Sequence, residues 1–246
     1  MMAILWFRVW NALNYIYGFF QFKSRRQLLA LKGAYAGKRC FVVGNGPSLR
    51  TEDLRLLHER GEYTFACNSL IKLFDEIPFR PTFYLAQDNK IILDNKEDIT
   101  QYCGAKFIKA HYAGRYHIKG ATYYSMLFPQ NPIGFSFNLP WVVYSGQTVA
   151  YSMIQFAAYM GFTEIYLIGV DCDYSPNNEK ITAESYFDKR LFNSGRSYSP
   201  PEVGTNLSAY ARAKQVCDER GIKILNASRG GKLEVFPRVD FDKIVS

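Results

Sequence analysis

Histidine is scarce. Only His58, His111 and His117 occur in 246 residues. None has a partner at metal-ligand spacing, so histidine-based catalysis has little to draw on. Cysteine is sparse too: Cys40, Cys67, Cys103, Cys172 and Cys217 make an odd count with no CxxC. That pattern argues against a disulfide framework or a structural zinc site and suits a reducing cytosol. Acidic residues are outnumbered 22 to 30, leaving +8 and a pI near 9.1. A basic balance favours phosphates, nucleotides, acidic lipid or nucleic acid. No nucleic-acid motif or basic helix accompanies it, so no nucleic-acid partner is expected. Repeats and low-complexity tracts are absent. Apolar residues at 48% and charged residues at 21% argue against disorder, collagen and a polytopic membrane protein. What the chain has in excess is aromatic: 16%, with 18 Tyr and 19 Phe. The length favours one full-sized domain.

A clean apolar span is also missing. Residues 3–22 read AILWFRVWNALNYIYGFFQF, followed by Lys23, Arg25 and Arg26. About 20 apolar residues would cross a bilayer. Here Arg8, Asn11, Asn14, Gly18 and Gln21 recur every three or four positions. Such spacing predicts an amphipathic helix with a thin polar stripe and a broad aromatic face. Its two settings are the membrane interface, aided by the basic cluster, and packing against protein. Residues 1–26 are therefore set apart as a membrane-surface helix, and residues 35–246 as one nucleotide-binding domain.

Beyond Gly37, strand-like and helical stretches alternate. Strands are predicted at 39–43, 63–67, 82–86, 106–110, 121–124, 164–170 and 222–225, from β-branched and aromatic runs. Helices are predicted at 51–60, 147–160 and 206–220, each with apolar residues at helical spacing and a glycine past its end. Alternation of this kind predicts an α/β fold: a single Rossmann-like domain whose parallel sheet is covered on both faces. Residues 172–205 are long, polar and Tyr-rich, as expected of a lid or binding loop.

In an open parallel sheet, ligands bind beyond the carboxyl ends of the strands. Gly44-Asn45-Gly46-Pro47-Ser48 follows the first strand directly. Gly44 and Gly46 allow a tight turn and close approach to a ligand, while Asn45 and Ser48 supply polar groups. The segment matches neither GxGxxG nor a Walker sequence. Asn68 ends the second strand, where an amide can both donate and accept. Asp171-Cys172-Asp173 ends the most strand-like run. Two carboxylates there suit a divalent metal on a diphosphate, or a division in which Asp171 fixes a sugar or the loop and Asp173 acts as base. Tyr174, Tyr186 and Tyr198 lie in the polar loop with several basic residues, and such groups stabilise a departing phosphate.

VVGNGPSL at 42–49, CNS at 67–69 and MGFTEIYLIGVD at 160–171 resemble two related groups. One is the bacterial sialyltransferases that use CMP-sialic acid; the other is the 6-hydroxymethylpterin diphosphokinase MptE-like family. The stretch ILNASRGGKLEVFPRVDF, 224–241, resembles MptE-like proteins of polysaccharide loci. The resemblance implies a nucleotide-binding α/β domain with a lid. It assigns Asn45, Ser48, Asn68 and Thr148 to the donor nucleotide. It also implies a lid histidine as general base and two tyrosines on the leaving phosphate, without metal. This chain has no histidine after His117. Asp173 or Glu202 would then replace the base, with Tyr174 and either Tyr186 or Tyr198 at the phosphate.

The expected function is therefore a nucleotide-sugar-dependent glycosyltransferase of surface-polysaccharide synthesis. Its partners are a nucleotide sugar donor and a glycan or lipid-linked acceptor. The expected place is the cytoplasmic face of the cell membrane. No cofactor is required by this reading. One alternative is a diphosphokinase transferring diphosphate from ATP to a pterin-like substrate, with Mg²⁺ on Asp88, Asp171 and Asp173. Another is a non-catalytic nucleotide-binding component of a polysaccharide-assembly complex.

Overall fold

The computed structural model describes residues 21–111, 116–128, 133–173, 181–193 and 203–246, together with Val9, Ala12, Leu13 and Ile16. Seven parallel strands form the main sheet: β1 (Arg39–Val43), β2 (Thr64–Cys67), β3 (Phe83–Ala86), β4 (Ala105–Lys109), β5 (Thr122–Tyr124), β8 (Glu164–Ile168) and β9 (Lys223–Asn226). Their order is β5-β4-β3-β2-β1-β8-β9. β6 (Met126–Leu127) and β7 (Val143–Tyr144) form a separate parallel pair. The chain runs outward from β1 to β5, then returns to place β8 on β1's other side. The β1/β8 junction is thus where the direction of winding reverses, and a crevice opens at such a point.

Burial follows from this layering. Along β1, Cys40 and Val42 enter one apolar cluster while Phe41 and Val43 enter the other. A strand with both faces covered has no use for a polar alternation, which is why RCFVV reads as a continuous run. One face carries α5 (Val149–Met160) and α6 (Val203–Asp218); the other carries α2 (Thr51–Glu59), α3 (Asn89–Asp94), α4 (Lys96–Gln101) and α7 (Phe241–Val245). α5 is buried at every position from Ala150 to Met160 and ends in a left-handed Gly161. Much of the aromatic excess lies in the first cluster, where Tyr35, Tyr63, Phe65, Phe83 and Phe162 pack edge-on or stacked. Such ring pairs add to the apolar burial.

At the N-terminal end, Val9, Ala12, Leu13 and Ile16 are helical and exposed. α1 (Phe22–Ala30) lies against the edge strand β5. The Tyr123 N–H donates to Ser24 Oγ at 2.9 Å, and Thr122 Oγ1 donates to Gln27 Oε1 at 3.2 Å. Leu28 is buried in the core, and the Tyr159 hydroxyl donates to its carbonyl at 3.1 Å. The boundary expected after residue 26 thus falls inside α1. Among the described residues, no helix is long and apolar enough to cross a membrane.

Candidate functional site

A cavity of 270 Å³ sits at the β1/β8 junction. Its walls come from the turn after β1 (Gly44, Asn45, Gly46, Pro47), the end of β2 (Cys67, Asn68), the start of α5 (Thr148, Val149, Ala150) and the turn after β8 (Gly169 to Asp173). Ile181, Thr182, Glu184, Ser185, Tyr186 and Tyr210 complete it. The sequence places polar residues at three carboxyl ends; the sheet order brings them to one mouth.

The turn after β1 is held from the neighbouring strand. Gly44 N–H donates to Ile168 O at 2.8 Å, and Gly46 N–H to Gly169 O at 2.9 Å. A Cβ on Gly44 would fall 2.2 Å from Gly169 O, and one on Gly46 2.4 Å from Asp171 Oδ2. Both glycines therefore answer a close approach of protein backbone and side chain, in addition to any ligand. Asp171 accepts from the Ser48 N–H at 2.8 Å, and its other oxygen accepts from the Ser48 hydroxyl. So Asp171 fixes the loop, the structural half of the two roles expected for it. Ser48 is turned to that carboxylate and does not line the cavity.

Among the described residues, three non-glycine residues have positive φ: Asn68 at 53°, Gln147 at 61° and Cys172 at 48°. Such backbone is uncommon and tends to persist where surrounding structure imposes it. Asn68 and Cys172 line the cavity, and Gln147 adjoins Thr148, which does. Thr148 is the N-cap of α5: its hydroxyl accepts from Ala150 N–H at 3.3 Å. The amino end of a twelve-residue helix thus faces the cavity, favouring negative charge there.

Two residues of the wall, Asn45 and Asn68, each have an amide oxygen, Oδ1, buried without a partner. Asn45 Nδ2 donates to Cys67 O at 3.4 Å, and the Asn68 carbonyl accepts from the Tyr84 hydroxyl at 2.7 Å. Each residue is thus held in place while one acceptor stays unused. Leaving a buried acceptor unpaired is costly, and a ligand donor would relieve it.

The cavity's cysteines are not nucleophiles. Burial pushes the Cys67 and Cys172 thiols up to about 12, so both stay protonated near neutrality. None of the three histidines lines the cavity. His111 is buried with its ring 5.9 Å from that of Tyr116, and His58 and His117 are exposed.

The described part of the polar loop, 181–193, covers the cavity. Phe187 N–H donates to Asn45 O at 3.1 Å, Leu191 is buried, and Tyr186 stands in the wall. Tyr174, Tyr198 and Glu202 lie outside the described residues. Asp88 is not at the site. It caps α3, accepting from the N–H groups of Lys90 and Ile91 at 2.7 and 3.2 Å. The carboxylate set Asp88, Asp171 and Asp173 is therefore not assembled. Among the described residues, no group of three or more metal-ligating side chains occurs.

Sequence reasoning missed the loop residues Thr182, Glu184 and Ser185, and two residues from further along the chain. Tyr210 of α6 lines the cavity, its hydroxyl 3.5 Å from Thr148 Oγ1. Lys232 reaches Asp173, with Nζ 2.6 Å from Oδ1. Lys232 stands within the 224–241 stretch quoted above, but nothing in its spacing connects it to a residue 59 positions earlier.

Residues 14–177 match the 6-hydroxymethylpterin diphosphokinase MptE-like family. The chain belongs to the MptE-like family. The match takes in every strand end that forms the cavity except the segments after residue 177. No curated protein matches this MptE-like chain. Among solved structures, it is similar to the sialyltransferase CstII from Campylobacter jejuni in complex with cytidine-5'-monophosphate. That pairing has 14% identity and a TM-score of 0.42, covering 83% of this chain and 85% of that one. The same enzyme in complex with CMP-3FNeuAc gives 14% identity and a TM-score of 0.39, covering 82% and 85%.

Proposed function

We propose that this MptE-like protein is a nucleotide-sugar-dependent glycosyltransferase of cell-surface polysaccharide synthesis. The observation that carries the reading is a cavity lined by Asn45 and Asn68, each with a buried amide oxygen that has no partner, and by the amino end of α5. Amide acceptors suit the donor edge of a base or a ribose hydroxyl, and a helix amino terminus suits phosphate. Gly44 to Gly46, Asn68 and Thr148 would hold the nucleotide, with Ser48 and Asp171 fixing the turn beneath it. Asp173 would accept the proton of the acceptor hydroxyl, and Tyr186 would face the phosphate. Tyr174, Tyr198 and Glu202 stay in this proposal as residues of the 172–205 stretch, outside the described residues.

A thermal-shift panel of CMP-, UDP-, GDP- and ADP-linked sugars, with and without Mg²⁺, tests the reading. Bound ligand raises Tm in proportion to its affinity and concentration. Stabilisation by one nucleotide-sugar class, followed by turnover with an acceptor, is expected. Stabilisation by ATP alone, lost on chelation, would favour the diphosphokinase instead. Binding without turnover of any sugar would favour a non-catalytic partner.

The membrane surface is a second part of the proposal. The first 51 residues hold eight of the 30 basic residues and none of the 22 acidic ones. The other 195 residues then carry 22 of each sign, so the whole net charge belongs to the N-terminal end. Val9, Leu13 and Ile16 are 43%, 42% and 50% exposed at helical spacing, and Phe22 and Leu29 are 63% and 55% exposed. Basic charge beside an exposed apolar helix suits an anionic bilayer surface. Sedimentation with phosphatidylglycerol vesicles, but not with phosphatidylcholine vesicles, is expected; equal recovery with both would remove the electrostatic part.

A further inference from the structure

Three carboxylates line the cavity, Asp171, Asp173 and Glu184, and no lysine or arginine does among the described residues. A phosphate-bearing ligand would meet these carboxylates with only the amino end of α5 to offset them, unless a cation comes with it. Asp171 is already satisfied by Ser48. The other two carboxylates are each met from outside by a lysine: Lys232 Nζ lies 2.6 Å from Asp173 Oδ1, and Lys189 Nζ 3.4 Å from Glu184 Oε1.

Lys232 is delivered to the rim by its backbone. Its N–H donates to Asp171 O at 2.6 Å. The preceding Gly231 has φ +80°, and a Cβ there would fall 2.5 Å from Asp171 Cα and O. The turn after β8 and the loop before Lys232 are therefore pressed together, with Val170 N–H donating to Ser228 Oγ at 3.2 Å. The side chains are a different matter: Lys232 is 68% exposed and Asp173 46%. A solvated ion pair of this kind holds weakly. The ammonium is thus fixed in place at its root and free to change partners at its tip.

We propose that Lys232 and Asp173 form an exchangeable anion subsite for the phosphate of a nucleoside mono- or diphosphate. On ligand entry the Lys232 ammonium transfers from the Asp173 carboxylate to the phosphate. Asp173 is left at the cavity wall with both oxygens free to accept from a hydroxyl. Without the anion, one of those oxygens is engaged. The exchange makes and breaks no covalent bond; it frees the second Asp173 oxygen as the phosphate takes over the ammonium. This inference rests on the nucleotide-binding reading.

Calorimetric titration of the full chain with CMP, UDP, GDP, ADP and inorganic diphosphate tests it. The wild-type chain is expected to bind at least one. Lys232→Gln should weaken that binding about tenfold or more, as loss of a charge-assisted contact does, while Lys232→Arg should stay within a few-fold. Asp173→Asn should tighten binding several-fold, because Lys232 no longer shares its charge. In the double variant that gain should vanish relative to Lys232→Gln, the signature of two residues acting through one another. Lys189→Gln, on the same rim, should change binding much less than Lys232→Gln. Equal binding by wild type and Lys232→Gln would sink the subsite and leave the nucleotide reading standing. A gain that persists in the double variant, or an equal loss from Lys189→Gln, would reduce the effect to bulk charge and also overturn it. No binding of any probe by wild type would overturn both the subsite and the donor reading.

Discussion

Replacing Gly44 by alanine tests whether the β1/β8 junction is as tight as its geometry says. The new methyl would lie 2.2 Å from Gly169 O and 2.8 Å from Gly169 C, where ordinary contact begins at 3.4 Å. The missing 1.2 Å has to come from backbone. Neither strand can yield cheaply, since β1 is paired to both β2 and β8, and β8 to both β1 and β9. Overpacking in a well-packed site costs about 1–3 kcal/mol, and a clash with main chain between central strands belongs at the upper end, about 3 kcal/mol. For a chain of this size, each kcal/mol moves Tm by about 2–4 °C, so a fall of about 6–12 °C is expected by scanning calorimetry. Gly204→Ala is the matched comparison. Gly204 lies in the first turn of α6 with nothing within 4 Å of its would-be Cβ, so alanine there should be neutral or stabilise by up to about 1 kcal/mol. A Gly44→Ala protein melting within about 2 °C of wild type would refute the claim that this approach holds the turn.

Asp171→Asn should cost about 2 kcal/mol in urea unfolding. The amide can accept from only one of the two Ser48 donors and presents its own donor to the other; an unchanged midpoint would contradict the loop-fixing role. Lys109 at the end of β4 gives a pH signature. Burial, opposed by the charge of Asp88, pushes its amine down to about 8 from 10.5. The folded chain then binds fewer protons than the unfolded one between those values. Stability is reduced by up to about 3 kcal/mol below pH 8, and this penalty lifts as pH rises toward 10.5. Buried tyrosines such as Tyr84, whose hydroxyl is raised by desolvation, act in the opposite sense above pH 10. The window to measure is therefore pH 8 to 9.5, where Lys109→Met should flatten the rise seen in wild type.

Most of the sheet was legible because its strands are buried on both sides. RCFVV, YTFAC, TFYLA and EIYLI are apolar runs that no solvent-facing segment would carry, and each is a strand within a few residues of its expected bounds. The long helices were legible for a related reason: Gly161 and Gly221 mark their ends. The two-residue strands β6 and β7 were not, since two residues show no period. Nor was α1, whose Lys23, Arg25 and Arg26 read as a basic cluster behind the N-terminal run. At the site, chain position alone marked Asn45 and Asn68, because carboxyl ends of parallel strands can be counted off; Thr148 came from the family resemblance, and all three line the cavity. The Ser48–Asp171 bond spans 123 residues and Lys232–Asp173 spans 59. Nothing periodic links such pairs; only the folded sheet brings them together. Asp88 shows the converse, a carboxylate at a strand end that turned out to serve the next helix.

The seat of α1 on β5 bears on how the N-terminal segment can be removed. Ser24 and Gln27 occupy polar groups on the outer side of the last strand, and Leu28 is sunk in the core behind them. A deletion ending at residue 26 would cut this helix in half and uncover an unpaired strand edge, a template on which further chains add. Such a protein would leave a membrane fraction or enter a pellet through self-association, whatever its affinity for lipid. A deletion ending at residue 20 keeps Ser24, Gln27 and Leu28, and with them the cover over the edge. The two truncations, six residues and three basic side chains apart, should therefore differ in solubility even where salt screens the charge.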